Sequence, residues 1–135
     1  EADDCIGIAT KHYLENKENK INIITSDTDY LQLVGERVEI YNAKMKPIRT
    51  VKNSTMNADM DLFVKIIMGD KSDNIPPVFP QKRGKAKAKQ YYNEPEFFKE
   101  ELKIYNVEDA YKRNKLLIDF SEIPIIYQKE IISLL

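Results

Sequence analysis

The stretch Ile21-Asn22-Ile23-Ile24-Thr25-Ser26-Asp27-Thr28-Asp29 decides the fold of this chain. Its first five residues are largely apolar and β-branched, and such a short run is typical of a buried strand in a parallel sheet. The Ser26-Asp27 pair can then cap a short helix that runs through Leu33. This strand–turn–helix step places Asp27 and Asp29 at the carboxyl end of a strand, where open α/β sheets bind their ligands.

The segments next to this stretch extend the α/β pattern. Apolar residues recur at helical spacing over residues 3–15, which predicts an amphipathic helix with Asp3 or Asp4 as its cap. Residues 38–41 and 48–51 alternate on either side of a polar turn. We therefore expect these two segments to form a β-hairpin at the edge of the sheet.

The pattern changes near residue 70. A helix that starts at Ser54 or Asn57 is expected to end before Gly69, which suits the position just after a helix. Beyond it the chain is predicted to be mainly helical, with helices over 85–92, 95–104, 107–118 and 124–135. The sequence thus divides into an α/β part, residues 1–69, and an all-helical part, residues 70–135.

Carboxylates form three tight clusters, each where a predicted element begins or ends. Such groups repel one another strongly if they converge, unless cations are bound among them. Ligand sets made only of oxygen select hard cations, so the implied ions are Mg²⁺ or Mn²⁺. The candidate ligands are Glu1, Asp3 and Asp4, then Asp27 and Asp29, then Asp70 and Asp73.

Each cluster also has an ordinary structural explanation. Asp27 is a common type of helix N-cap. Residues 70–73 could form a plain polar turn, and the acidic residues at 1–4 could simply be favourable charges at a helix N-terminus. These explanations do not account for two aspartates placed two residues apart after one buried strand, and they leave the basic segment of the chain without a role.

Composition fits one soluble, heavily charged domain. The 135 residues are 42% hydrophobic and 32% charged, with a net charge of −1. Residues 81–89 are strongly basic, whereas the clusters above are acidic. This split suits a protein that grips a phosphate backbone at one place and coordinates metals at another.

The single cysteine, Cys5, excludes a disulfide within this sequence and is consistent with a reducing compartment. No apolar run approaches the length of a membrane span, so we expect no membrane partner. The expected location is the cytoplasm, which would be the host cytoplasm for a phage or viral protein.

Three blocks of sequence resemble the structure-specific 5′-nucleases in order and spacing. They are residues 1–4 (EADD), 24–29 (ITSDTD) and 68–75 (MGDKSDNI). This superfamily includes flap endonucleases, the 5′-nuclease domains of bacterial DNA polymerases and phage 5′→3′ exonucleases. Residues 116–124 are most similar to the RNase H of T-even-type phages. The resemblance implies an α/β, PIN-like nuclease core with a parallel central sheet, of which residues 1–69 are the C-terminal portion.

The resemblance also implies the chemistry. Family members are divalent-metal-dependent enzymes that hydrolyse phosphodiesters at the 5′ ends of RNA or DNA on a duplex, as in primer removal during replication. Two ions, Mg²⁺ or Mn²⁺, would be held by the residues that match the family's ligands. These catalytic and metal-binding residues are Glu1, Asp3, Asp4, Asp27, Asp29, Asp70 and Asp73. No organic cofactor is implied.

By the same resemblance, residues 70–135 are the helical region, of helix–turn–helix type, that binds duplex DNA. In the family, the turn of this helix–turn–helix usually has two glycines and in many members binds potassium. This sequence keeps only Gly84, so whether it has a potassium site is an open question. Basic side chains could supply phosphate contacts by charge instead, although a solvated, basic helix start is the simpler alternative. The predicted DNA-binding residues are Lys71, Lys82, Arg83, Gly84, Lys85, Lys87 and Lys89.

The family core begins upstream of the residues matched here, with an aspartate-bearing strand and a basic helical arch. We therefore expect this chain to be an incomplete enzyme with low or no activity alone. Expected partners are a DNA or RNA–DNA duplex with a 5′ end or flap, and a single-strand binding protein or sliding clamp; the chain itself is expected to be a monomer. Two other functions remain open, a non-catalytic duplex-DNA-binding fragment and a PIN-type ribonuclease, as does the preference among primer, flap and nicked duplex.

Overall fold

The structure is a computed structural model that describes residues 1–50 and 54–135. The chain forms two compact units. Unit 1 comprises Glu1–Ala58 and Phe120–Leu135, and unit 2 comprises Asp59–Asp119. Among the described residues, no helix is long and apolar enough to cross a membrane.

Unit 1 is built on a two-stranded parallel sheet. Strand β1 spans Ile21–Ile24 and strand β2 spans Val38–Tyr41, with Ile21 opposite Val38 and Ile24 opposite Tyr41. The two strands run in the same direction because the chain crosses back between them through a 3₁₀ helix, Thr28–Leu33. The predicted parallel strand is confirmed, but the prediction that it is buried is wrong, since Ile21 and Ile23 are half-buried and Asn22 and Ile24 are exposed. The predicted short helix is present in the tighter 3₁₀ form.

The predicted β-hairpin is wrong. β2 pairs in parallel with β1, and residues 48–50 form a 3₁₀ turn rather than a strand. After Tyr41 the backbone makes a single antiparallel bridge to Pro47, which has no N–H to continue a ladder. The Thr50 hydroxyl then donates to the Pro47 carbonyl at 2.6 Å, which closes the turn. Val51, the last residue of the predicted hairpin, lies outside the described residues.

Helices cover the rest of unit 1. Helix α1 spans Ala2–Leu14, a 3₁₀ turn spans Phe120–Glu122, and the last helix of the chain, α6, spans Ile125–Ser133. The main buried cluster of the unit consists of Tyr30, Leu31, Ile40 and Ile48. Half-buried apolar side chains pack on this core; they are Ile23, Leu33, Val34 and Phe120. The core therefore fixes the 3₁₀ helix that Asp27 caps and that contains Asp29.

Unit 2 is all-helical. Its helices are α2 (Ala58–Met68), α3 (Lys85–Asn93), α4 (Pro95–Ile104) and α5 (Glu108–Ile118). These bounds confirm the predicted helices to within a few residues. Val64, Ile67, Phe79, Tyr91 and Phe98 lie in its main buried cluster. Aromatic rings pack edge-on or stacked throughout this cluster, as in the pair Phe79–Tyr91 with ring centres 5.3 Å apart.

A buried asparagine ties α5 to the loop that precedes α3. Asn114 is fully buried, and its Nδ2 donates to the carbonyl oxygens of Ile66 at 3.0 Å and Pro76 at 2.8 Å. Arg113 donates to the Asn114 side-chain oxygen at 2.9 Å. The amide therefore satisfies one backbone carbonyl of α2 and one of the proline-rich loop, which holds both against α5.

The compact units divide the chain after residues 58 and 119, whereas the sequence places a functional boundary after residue 69. Compactness and functional division are different properties, because a helix of one functional region can pack with the other. The assignment of 1–69 to a nuclease core and 70–135 to a DNA-binding region stays a prediction.

Candidate metal centre

Asp27 occupies the turn that follows β1. Its backbone N–H donates to the Thr25 hydroxyl at 3.1 Å, and its own Oδ1 accepts from the Asp29 backbone N–H at 2.9 Å. Asp27 is thus the N-cap of the 3₁₀ helix, as the ordinary structural explanation requires. The carboxylate nevertheless remains exposed, so its capping role leaves it accessible from solvent.

Asp3 reaches the same place from α1. It lies in the first turn of the helix and is half-buried. The prediction that Asp3 or Asp4 caps this helix is wrong, because the N-cap is Glu1 and it makes no side-chain cap hydrogen bond. Asp3 instead accepts a hydrogen bond at its Oδ1 from the Tyr30 hydroxyl at 2.7 Å.

The first two predicted clusters thus contribute to one acidic centre. One carboxylate oxygen each from Asp3, Asp27 and Asp29 lies within 4.8 Å of the other two. Oxygens that ligate one cation at about 2.0–2.6 Å are separated by no more than about 5 Å. The donor set, made only of carboxylates, and its spacing both fit a hard divalent cation such as Mg²⁺ or Mn²⁺.

Tyr30 is a part of this centre that the sequence interpretation missed. Only 7% of the surface of Tyr30 is exposed to solvent. Burial raises the pKa of the Tyr30 phenol above its ordinary value, and the hydrogen bond to Asp3 and the charges of Asp3 and Asp27 raise it further. The phenol therefore stays protonated and acts as a donor. A signal was present in the sequence, because a tyrosine in a core-facing helix directly after Asp29 must find a partner for its hydroxyl.

The other two residues of the first block lie at the same end of α1. Glu1 is exposed and Asp4 is half-buried. Within the described ranges, 1–50 and 54–135, the three-carboxylate group formed around Asp3 includes neither of them. Their predicted role as metal ligands, directly or through water, stays a prediction.

Asp70 and Asp73 belong to unit 2. Asp70 Oδ1 accepts from the Ser72 backbone N–H at 2.8 Å, and Oδ2 pairs with Lys65 Nζ at 2.9 Å. The hydrogen bonds from Ser72 lower the pKa of Asp70 from 3.8 to about 2, with a further contribution from Lys65. Asp73 is exposed in the same turn. The polar turn that was the simpler explanation is therefore present, and the predicted ligand roles of both aspartates stay predictions.

The backbone around Asp70 is tightly constrained. Gly69 has φ of +70°, as expected of the residue after a helix end. Asp70 and Ile75 exchange two backbone hydrogen bonds, at 2.8 and 2.7 Å. These contacts hold residues 70–75 as a closed turn and fix the backbone positions of Asp70 and Asp73.

Most of the predicted DNA-binding residues are exposed. This group consists of Lys71, Lys82, Gly84, Lys85 and Lys89. Gly84 is the N-cap of α3, with φ of −82°. Lys87 is half-buried, with its Nζ 4.5 Å from the centre of the Phe97 ring and 5.4 Å from that of Tyr91. The exposed lysines keep the predicted capacity to contact phosphates, whereas Lys87 also packs on aromatic rings.

Arg83 has a different environment from its basic neighbours. Its guanidinium lies 4.8 Å from the centre of the Tyr105 ring and 5.3 Å from that of Phe79. It also pairs with Glu101 at 3.5 Å. Its Nε is buried without a hydrogen-bond partner in the described part of the chain. Arg83 is thus engaged inside unit 2, which gives it a packing role beside its predicted role as a phosphate contact.

The chain is similar to known nucleases in sequence and in fold. Residues 1–66 match the family model of the 5′-3′ exonuclease N-terminal, resolvase-like domain. The predicted resemblance to the 5′-nuclease superfamily is confirmed. The chain is 33% identical over 139 residues to ribonuclease H of Enterobacteria phage T4, a match that covers 92% of this chain and 44% of that protein. It is also 37% identical over 86 residues to the 5′-3′ exonuclease of Bacillus subtilis, covering 58% of this chain and 28% of that protein.

The chain spans less than half the length of the curated 5′-nucleases it matches, between 28% and 46%. The match to phage T4 ribonuclease H agrees with the similarity to T-even-type phages predicted from residues 116–124.

Solved 5′-nuclease structures confirm the fold. The T5 5′-exonuclease superposes with a TM-score of 0.76 at 17% identity and covers 98% of this chain and 65% of its own. A T5 flap endonuclease in a complex with DNA and metal ions superposes with a TM-score of 0.71 at 16% identity, covering 96% of this chain and 58% of its own. At such low identity these structures show the fold alone. The predicted α/β, PIN-like class with a parallel sheet and a helical region is therefore confirmed.

Proposed function

We propose that this chain carries metal-binding and DNA-binding parts of a divalent-metal-dependent 5′→3′ exonuclease or flap endonuclease. Such an enzyme hydrolyses phosphodiesters at the 5′ ends of RNA or DNA on a duplex, as in primer removal. The observation that carries the proposal is the meeting of Asp3, Asp27 and Asp29 at the carboxyl end of β1. The 5′-3′ exonuclease family match over residues 1–66 supports it.

The three aspartates would hold the first of two Mg²⁺ or Mn²⁺ ions. Glu1, Asp4, Asp70 and Asp73 are proposed as the further ligands, directly or through water. Bound divalent cations supply Lewis-acid charge, which lowers the pKa of water and stabilises the leaving oxygen of a phosphodiester. The exposed carboxylate of Asp27 keeps this centre open to a substrate phosphate, while the cap hydrogen bond from the Asp29 backbone fixes its orientation.

The exposed lysines would bind the substrate. Their charge gives affinity for phosphates without sequence preference, as an enzyme that acts on 5′ ends of any sequence requires. The proposed substrate is a DNA or RNA–DNA duplex with a 5′ end or flap. A T5 flap endonuclease of the same fold has been crystallised with DNA and metal ions, which supports this class of substrate. A single-strand binding protein or sliding clamp as partner and a monomeric state remain part of the proposal.

Asp27→Asn is the sharpest test. Asparagine is as good an N-cap as aspartate, so the 3₁₀ helix should persist while one negative ligand is lost. We expect calorimetric Mn²⁺ titration to show a bound ion for the wild-type chain. For Asp27→Asn we expect a dissociation constant at least about tenfold higher. Asp109→Asn, an exposed aspartate in the first turn of α5, is the matched control and should bind Mn²⁺ like the wild type.

The same samples separate the alternative functions. Binding of a 5′-flap duplex, followed by fluorescence anisotropy, should be unchanged in Asp27→Asn, since that change leaves every lysine in place. A wild-type chain that binds the duplex but no Mn²⁺ would favour the non-catalytic DNA-binding fragment. A chain that binds Mn²⁺ but prefers single-stranded RNA to the flap duplex would favour the PIN-type ribonuclease.

A further inference from the structure

The Asp3 carboxylate is held by a side chain from a distant part of the sequence. Tyr30 lies 27 residues further along the chain, and its hydroxyl donates to Asp3 Oδ1 at 2.7 Å. That distance lies within the range of a charge-assisted O–H···O⁻ hydrogen bond. The bond joins the first turn of α1 to the 3₁₀ helix that carries Asp29, so two of the three carboxylates share one support.

The Tyr30 ring itself has little freedom to move. It is 7% exposed and belongs to the core of unit 1. The ring of Phe120 lies 6.0 Å away at an angle of 52°. Phe120 in turn lies so close to Gly7 of α1 that a Cβ there would come within 3.1 Å of its ring. Tyr30 is thus braced by the same helix that carries Asp3.

A second contact connects this brace to the turn that contains Asp29. The Gln32 side chain donates to the Asp29 carbonyl at 3.1 Å and accepts from the Phe120 backbone N–H at 3.0 Å. Two residues of the 3₁₀ helix therefore contact Phe120, Tyr30 through its ring and Gln32 through its side-chain amide. The position of the Tyr30 hydroxyl follows from packing rather than from solvent-exposed contacts.

We infer that Tyr30 is a positioning residue that fixes the Asp3 carboxylate for metal binding; this inference rests on the proposed function. By occupying Oδ1, the phenol sets the rotation of the carboxylate and directs its remaining lone pairs towards Asp27 and Asp29. Hydrogen-bond partners of metal ligands commonly act in this way, and their loss costs about 10–100-fold in metal affinity.

The competing explanation is that the hydrogen bond only satisfies a buried hydroxyl. The chain offers a matched control for it, since Tyr91 is fully buried and its hydroxyl donates to Glu101 Oε2 at 2.9 Å. Tyr91→Phe therefore removes the same kind of bond, from a buried phenol to a carboxylate, in a place where that carboxylate is not a predicted ligand.

The test compares Tyr30→Phe and Tyr91→Phe by calorimetric titration with Mn²⁺, with folding checked by circular dichroism. We expect Tyr30→Phe to raise the dissociation constant for Mn²⁺ about tenfold, and Tyr91→Phe to leave it unchanged. In the background of Asp3→Asn, adding Tyr30→Phe should have no further effect on Mn²⁺ binding, because the side chain that it positions is no longer a charged ligand.

Unchanged or tighter Mn²⁺ binding by a folded Tyr30→Phe variant would overturn the inference, since the phenol would then be neutral or would compete with the ion for Asp3. An equal loss in the presence and absence of the Asp3 carboxylate would also overturn it. These results differ from failure of the proposed function, which would appear as absence of Mn²⁺ binding by the wild-type chain itself.

Discussion

Lys65 Nζ lies 2.9 Å from Asp70 Oδ2, and both side chains are largely buried. The pair joins the last turn of α2 to the closed turn of residues 70–75. The other carboxylate oxygen of Asp70, Oδ1, accepts hydrogen bonds from the backbone N–H and the hydroxyl of Ser72. Both carboxylate oxygens of this predicted metal ligand therefore already have protein partners. Asp70 thus contributes to the stability of unit 2 whether or not it also ligates an ion.

This contribution should depend on pH. The folded-state pKa of Asp70, about 2, lies below the ordinary value of 3.8. The ionised form therefore stabilises the folded state above about pH 4, by up to about 2 kcal/mol, and this stabilisation is lost as the pH falls from 3.8 towards 2. Asp70→Asn should lower the free energy of unfolding at pH 7, with the difference from wild type shrinking as the pH falls.

Urea unfolding between pH 7 and pH 2.5 measures this difference. Asp73→Asn is the control, because Asp73 is exposed in the same turn and should change stability by no more than about 0.5 kcal/mol. A difference between wild type and Asp70→Asn that is the same at every pH would contradict the prediction.

Gly69 should tolerate no side chain. Its φ of +70° is costly for an L-residue, and a Cβ would come within 2.6 Å of the Pro76 carbonyl oxygen and also collide with that of Ile75. Gly69→Ala should therefore destabilise the chain by about 2–4 kcal/mol in urea unfolding. At Gly35 a Cβ would meet nothing within 4 Å, so Gly35→Ala should be nearly neutral. Equal effects of the two changes would show that the closed turn is not as constrained as described.

The exposed lysines around α3 should determine how DNA binding depends on salt. Each phosphate contact contributes about 0.9 to the slope of log K against log[salt], so replacing Lys82, Lys85 and Lys89 together with Ala should reduce the slope by about 2–3. Arg83 is left unchanged because of its contacts with Glu101 and two aromatic rings.

The control for this measurement is a second triple variant with the same loss of charge, Lys17, Lys44 and Lys46 to Ala, all exposed in unit 1. Anisotropy titrations of a flap duplex between 50 and 200 mM salt, roughly the range in which such slopes are measured, give both values. Equal reductions in the two triple variants would mean that overall charge, and not the α3 segment, determines DNA binding.

Some errors of the sequence interpretation have clear physical causes. Residues 38–51 alternate in a way that suits two paired strands, but Pro47 cannot donate and the partner of β2 is β1. The sequence interpretation also missed the packing of Arg83 on the rings of Phe79 and Tyr105, because only its charge is visible in the sequence. Its predicted role as a phosphate contact stays a prediction.

The sequence by itself determined the local features. The strand at 21–24, the capping role of Asp27 and the helix end at Gly69 follow from propensity, hydrogen-bonding side chains and backbone freedom within a few residues. The spacing of the acidic blocks was likewise enough to indicate the 5′-nuclease family.

Only the tertiary structure decided which carboxylates meet and what holds them. Asp3 and Tyr30 are 27 residues apart, and their hydrogen bond exists because α1 packs near the 3₁₀ helix after β1. Packing of this kind depends on the fit of many apolar side chains at once, so no local pattern encodes it. The sequence thus named candidate ligands for the metal centre, and the packed core of unit 1 supplied Tyr30 as the residue that we infer orients one of them.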